Sequence, residues 1–334
     1  MRHFIVPILL SIFALFAAYF WGGVQGLTLA FLLGIMEISL SFDNAILNSV
    51  VLKTMNSLWR NLFLTIGIFI AVFGMRLIFP MLVISLSSNL SFWQVFELSL
   101  YHPEEYSKHI MDSNIIISAF GGIFLILVFL TFMLNPSREI QWWRKLERKF
   151  KKLGEIKFVA IICALVILLM CVQFLPNNQK WLALSAGSIG IIIFGALNIL
   201  SSWLNISVPR QKASSAKSNL AMLVSFLYLE VLDASFSFDG VIAAFAITKD
   251  IVIIMLGLGI GAIFVRSLTV FLVQKRSLEK FIYLEHGAHY AIGVLGIIML
   301  MNLYFHVSEI ITGLIGVGVI GLAVLTSRHP PHLP

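Results

Sequence analysis

Residues 24–52 read VQGLTLAFLLGIMEISLSFDNAILNSVVL. The run is longer than the roughly 20 apolar residues that cross a bilayer. Yet it carries Glu37 and Asp43 in its second half. A charged side chain at the bilayer centre costs about 2.5–3.5 kcal/mol on insertion scales. The core of this run, EISLSFDNAI at 37–46, returns without a gap as DASFSFDGVI at 233–242. A chain that places carboxylates in hydrocarbon twice, in the same local pattern, has a use for them.

Working outward, composition assigns the class. Of the 334 residues, 59% are apolar and 12% charged, half the charge of a soluble domain. Apolar runs of spanning length recur from end to end, and we expect ten: 4–21, 24–52, 61–88, 113–134, 158–175, 181–204, 219–247, 251–273, 284–303 and 309–326. The expected fold is all-α and polytopic. Arg2 ahead of an apolar run resembles a signal peptide, but the run lacks a small-residue cleavage site and ends in aromatics, so a retained anchor is expected. Cys163 and Cys171 share one apolar run, which suggests neither a disulfide framework nor a zinc site.

Basic residues orient the spans, because cytoplasmic loops collect Lys and Arg. With the N-terminus inside, the cytoplasmic segments hold 18 Lys and Arg, the outer loops hold Lys108, Lys180 and Lys249, and Arg76 and Arg266 fall within spans. Both termini are therefore expected in the cytoplasm, with the chain in the inner membrane. The net charge of +7 is mostly topology and gives no reason to expect a nucleic-acid partner.

The first motif lies in the second span and the repeat in the seventh, so the two cross in opposite directions. In each half the next span carries one arginine, Arg76 or Arg266. Repeats of inverted topology with a site near the midplane characterise many secondary transporters. The expected organisation is a first repeat at 1–135, a basic amphipathic cytoplasmic segment at 136–157, connecting spans and a polar linker at 158–218, and the inverted repeat at 219–334.

Glu37, Asp43, Glu230, Asp233 and Asp239 all fall within spans, against two arginines. Acids in such places face a bundle interior and pair with a base, a cation or one another. Glu37, Ser41, Asn44 and Asn48 share one helical stripe, with Ser39 and Asp43 on a neighbouring face; Glu230, Asp233, Ser237 and Gly240 form the matching stripe. Carboxylate, hydroxyl and amide oxygens suit Mg, Ca or Mn rather than Zn or Cu. The candidate metal ligands are Glu37, Asp43, Asn44, Asp233 and Asp239. Arg76 and Arg266 are their charge partners, and Ser41, Ser237 and Glu230 the polar lining. Asp-Asn and Asp-Gly are places where a helix can break, and an unbroken helix is the alternative. Glu285, His286 and His289 in LEHGAHY are a further candidate, as a cytoplasmic gate, a weak metal site or an interfacial helix end.

At these residues the chain resembles the TerC family of integral membrane proteins, in its domain-of-unknown-function branch. The resemblance rests on EISLSFDNAILNSVV, LEVLDASFSFDGVIAAFAIT and YLEHGAHYAIGVLGIIML, and covers roughly residues 20–305. It implies a manganese exporter in a wider group of LysE-type exporters, tied by name to tellurium resistance. Glu37, Asp43 and Asn44 would match the acidic site of the first half, and Asp233 and Asp239 that of the second. The chain departs from the family pattern at Gly240, which stands where Asn44 stands in the first half, and in its long cytoplasmic segment.

Residues 137–157 read as an amphipathic interfacial helix, with Trp143, Leu146, Phe150 and Leu153 as its apolar stripe. Such a helix lies among headgroups and is drawn to anionic lipid. The outer segment 89–112 reads as a solvated loop and 205–218 as a polar linker. The function expected is export of a divalent cation by alternating access, without a tightly bound cofactor and with protons as a candidate coupling ion. The alternatives are a non-transporting factor that assists metal loading of exported proteins, and a membrane hydrolase. GxSxG and HExxH are absent from the sequence, so no enzymatic activity is expected.

Overall fold

The computed structural model describes residues 2–156, 158–203, 219–275, 280–305 and 307–328; the side chains of residues 2, 3, 239, 309 and 310 are not among those described. The polar linker 205–218 therefore lies outside the described residues. The described chain is helical throughout: α1 (Arg2–Leu40), α2 (Phe42–Leu52), α3 (Ser57–Ser88, in several segments), α4 (Phe92–Tyr101), α5 (Pro103–Asp112), α6 (Asn114–Met133), α7 (Arg144–Leu153), α8 (Val159–Gln173), α9 (Asn177–Trp203), α10 (Asn219–Ile247), α11 (Ile251–Gln274), α12 (Leu284–Met301) and α13 (Glu309–Arg328). Hydrocarbon offers no partner for backbone N–H and C=O groups, which is why apolar runs of this length fold as helices.

Eight described helices are long and apolar enough to cross a membrane. The protein is a multi-pass, all-α membrane protein. Two details differ from the ten expected spans. The second expected span, 24–52, is interrupted at Ser41; it is divided from the first, as expected, at Gly22 (φ −126°, ψ 18°) and Gly23 (φ 61°, ψ −151°), where helical geometry is lost. Gly23 takes a left-handed φ that side chains resist, so the chain turns where 4–21 was expected to end. The fifth expected span, α8, is apolar but only 15 residues long. The segment 89–112, expected as a solvated outer loop, instead forms α4 and α5, with Ser91 capping α4 in a capping box.

The central helices α6, α10, α11 and α12 are mostly buried; α1, α3, α9 and α13 expose most of their surface. Exposed Phe13, Phe16, Phe20, Ile192 and Ile199 belong to that outer ring, the expected surface of a protein solvated by lipid. α1 packs along α11, α6 between α9 and α12, and α12 against α13. The α1–α11 crossing is close because Gly257 and Gly261 face Ala30, Leu33 and Glu37, the small-residue packing typical of membrane helices.

Candidate functional site

The acidic residues of the two repeats meet in the middle of this bundle. Glu37, Asp43, Glu230 and Asp233 are all buried, as are Arg76 and Arg266. Each arginine pairs with acid from its own half. Arg76 binds Glu37 through Nη2 and Oε1, and Ser41 donates to the same carboxylate oxygen at 3.1 Å. Arg266 grips Glu230 with both terminal nitrogens, at 3.0 and 2.9 Å, and donates to Asp233 Oδ2 at 3.1 Å. Its guanidinium lies 4.3 Å above the Phe63 ring and donates to the Phe63 carbonyl at 3.3 Å. The fork of a guanidinium suits this bidentate geometry.

The halves also touch across the repeat. Asn44 donates through Nδ2 to Asp233 at 2.9 Å. At the equivalent place in the other direction, Gly240 faces Glu37: a Cβ there would press on the Glu37 carboxylate. The departure at Gly240 thus has a steric reason. Asp233 is short and leaves room for an asparagine amide; Glu37 is one methylene longer and needs a glycine opposite it.

Arg76 owes its position to an irregular element. Residues Ile70–Ile78 of α3 form a π-helical stretch, a feature often found at functional sites. Arg76 Nη1 donates back to the Ala71 carbonyl at 2.7 Å. On the motif helix, the interruption falls at Ser41 (φ −98°, ψ 17°), two residues before Asp43-Asn44. It separates the exposure of Ser39 from that of Asp43: Ser39 is exposed and bonds to the Ile35 carbonyl, whereas Asp43 and the rest of α2 face inward. The shared face expected for Ser39 and Asp43 is therefore not formed. α10 runs unbroken through Gly240.

Asp43 differs from the other three acids. It accepts the Asn44 backbone N–H at 2.9 Å and has no cationic partner among the described residues. It lines a cavity of about 40 Å³ together with Glu37, Ser41, Gly240, Thr312, Gly313, Gly316 and apolar residues of α12. One water needs about 10–15 Å³, so there is room for a small ion or a few waters. Nearby on the two motif stripes, Asn44 Oδ1, Asn48 Oδ1 and Ser237 Oγ are buried oxygens without a hydrogen-bond partner among the described residues. The residues fit a hard cation in donor chemistry. They are not gathered as a finished coordination shell: among the described residues no three His, Cys, Asp or Glu converge as metal ligands. The Asp239 side chain lies outside the described residues.

Glu285, His286 and His289 do not join this site. His286 Nε2 sits 3.1 Å from the Ile140 carbonyl, and His289 Nδ1 2.8 Å from that of Glu285. Phe132 stacks on the His289 ring with centroids 3.6 Å apart. They lie against the basic segment 136–157, whose buried anchor Glu147 had no sequence signal beyond being the one acid in RKLERKFKKL. Thr312, Gly313 and Gly316 of α13 were likewise not singled out from the sequence, where they read as ordinary residues of an apolar span.

A family model described as a protein of unknown function, DUF475, matches residues 42–331. The chain belongs to the DUF475 family. It is 28% identical over 165 residues to the uncharacterized membrane protein YceF of Bacillus subtilis (strain 168). That match covers 40% of the chain and 63% of YceF, so the chain spans less than two thirds of that relative. No solved structure matches.

Proposed function

We propose that this DUF475 protein is a divalent-cation exporter, with manganese as the leading cargo, that works by alternating access at the paired acidic motifs. One observation carries the reading: Asp43 is a buried carboxylate on a cavity, beside buried Asn44, Asn48 and Ser237 oxygens, and among the described residues it has no cationic partner and they have no hydrogen-bond partner. Buried charges are normally paired or bound to metal. The TerC-like motifs supply the manganese expectation, and the inverted repeat supplies the alternating-access expectation.

In this reading Asp43 receives the ion, with Asn44 and, from the motif, Asp239 as further oxygen ligands. Glu37 is drawn from Arg76 as the ion enters, and Arg76 restores the pair when the ion leaves. Arg266 keeps Glu230 and Asp233 compensated throughout the cycle. Protons are the proposed coupling ion, and the inner membrane with both termini cytoplasmic is the proposed setting. The test is purified protein in liposomes with an internal manganese-sensitive dye. Wild-type flux that Asp43→Asn and Asp239→Asn each abolish, with normal protein yield, is the expected result. Unchanged flux in both variants, or manganese binding without flux, overturns it.

A further inference from the structure

We propose that α7 is a sensor of anionic lipid headgroups whose seating is transmitted to α12 through Glu147. The helix RKLERKFKKL contains one acid, and that acid is turned inward, 1% exposed. Glu147 accepts from Arg138 Nη2 at 2.8 Å, from the Trp142 and Trp143 backbone N–H groups at 3.2 Å, and from the Tyr290 hydroxyl at 3.2 Å; His286 Nε2 is 3.6 Å away. With its acid withdrawn, the outer surface of α7 is basic: Arg144, Lys145, Arg148, Lys149 and Lys152 are exposed.

Helical spacing gives α7 three faces. Glu147 marks the seam against the protein. Trp143, Leu146 and Leu153, at helical spacing on one flank, are exposed apolar residues; the basic residues lie on the opposite flank. The chain enters from α6, which ends at Met133, and leaves into α8, which starts at Val159. The links 134–143 and 154–158 tether the helix to the ends of apolar helices, where a bilayer surface would lie. An apolar flank beside a cationic flank, tethered between apolar helices, fits an anionic leaflet, whose negative surface potential attracts basic segments.

α12 receives the contact. Tyr290 and His286 bond at its cytoplasmic end, and Ala291, Val294 and Leu295 of the same helix line the Asp43 cavity. Arg138 adds a second link: it lies 3.8 Å over the Phe132 ring, which stacks on His289. Displacement of α7 along the membrane surface is therefore felt by the wall of the cavity. Lipid binding stands independently of the transport reading.

The test uses the full chain with Cys163→Ala and Cys171→Ala, in nanodiscs of phosphatidylcholine with or without phosphatidylglycerol. An environment-sensitive dye on Leu146→Cys should be quenched by brominated lipid at least about twofold more in anionic discs, and the difference should vanish in high salt or with Arg148→Gln, Lys149→Gln and Lys152→Gln combined. Equal quenching in both lipids overturns the lipid site. Hydrogen exchange at 284–295 should slow in anionic discs for wild type and lose that response in Glu147→Gln and Glu147→Asp while the dye still responds. Exchange that ignores lipid in wild type, or follows it unchanged in both variants, overturns the transmission. Neither readout needs ion flux, so a failed flux assay would sink the exporter reading alone.

Discussion

At the scale of single residues, the repeat is written in complementary pairs. Glu37 faces Gly240, and Asp233 faces Asn44. A Cβ at 240 would displace the Glu37 carboxylate from Arg76, and a shift of about 1 Å in a site can cost on the order of a hundredfold. Gly240→Ala is therefore expected to lower manganese flux at least about tenfold. Gly318→Ala, on a helix face with nothing within 4 Å, should leave flux unchanged. Gly240→Asn should be as harmful alone, yet flux should return in Glu37→Asp/Gly240→Asn, which copies the other half's pair. Proteoliposome flux checks all four; failure of the double variant to recover would separate the two contacts.

At the scale of elements, the π-helical stretch Ile70–Ile78 decides where Arg76 points. Deleting Val72 returns the stretch toward α-helical register and rotates Arg76 by about 100° relative to what precedes it. Losing one partner of a buried pair costs about 3–5 kcal/mol. The deletion should lower the unfolding midpoint of the detergent-solubilised protein clearly; an unchanged midpoint would show that Glu37 finds another partner. This element also marks the limit of what the sequence tells. That the motif acids need Arg76 and Arg266 as charge partners was readable, because a buried acid in hydrocarbon needs a base; that each arginine serves its own half was not. IAVFGMRLI, by contrast, has no feature that distinguishes a π-helical from an α-helical run. Asp43 was legible as a ligand candidate, but its lack of a described cationic partner was not, since that depends on which carboxylates the arginines reach. Glu147 was hidden for the opposite reason: a lone acid in a basic helix looks solvated until the fold turns it inward.

At the scale of the whole molecule, the proposed orientation rests on the basic loops, and the spans follow from apolar length. Helical geometry is lost at Gly22 and Gly23, where the apolar runs 4–21 and 24–52 are divided; length misleads instead at α8, which is apolar but only 15 residues long. Orientation has a direct check. In a chain with Cys163→Ala and Cys171→Ala, an impermeant maleimide should label Lys108→Cys in intact cells, and Lys149→Cys only after lysis. The reverse pattern would invert the molecule and place the α7 basic face outside.

Four buried carboxylates meet two buried arginines in the described part of the site. With all four ionised, two negative charges are left within the spans. A charge that crosses a potential of 100 mV changes energy by about 2.3 kcal/mol. With Asp239 protonated, a divalent ion cancels the deficit, so the loaded form is electrically silent and the unloaded form is not. In the proposed cycle, membrane voltage therefore acts on the return stroke rather than on the delivery of cargo. Manganese-free charge movements, recorded on solid-supported membranes, should be present in wild type and diminished in Asp43→Asn; equal currents in the two would place the voltage-sensing charge elsewhere.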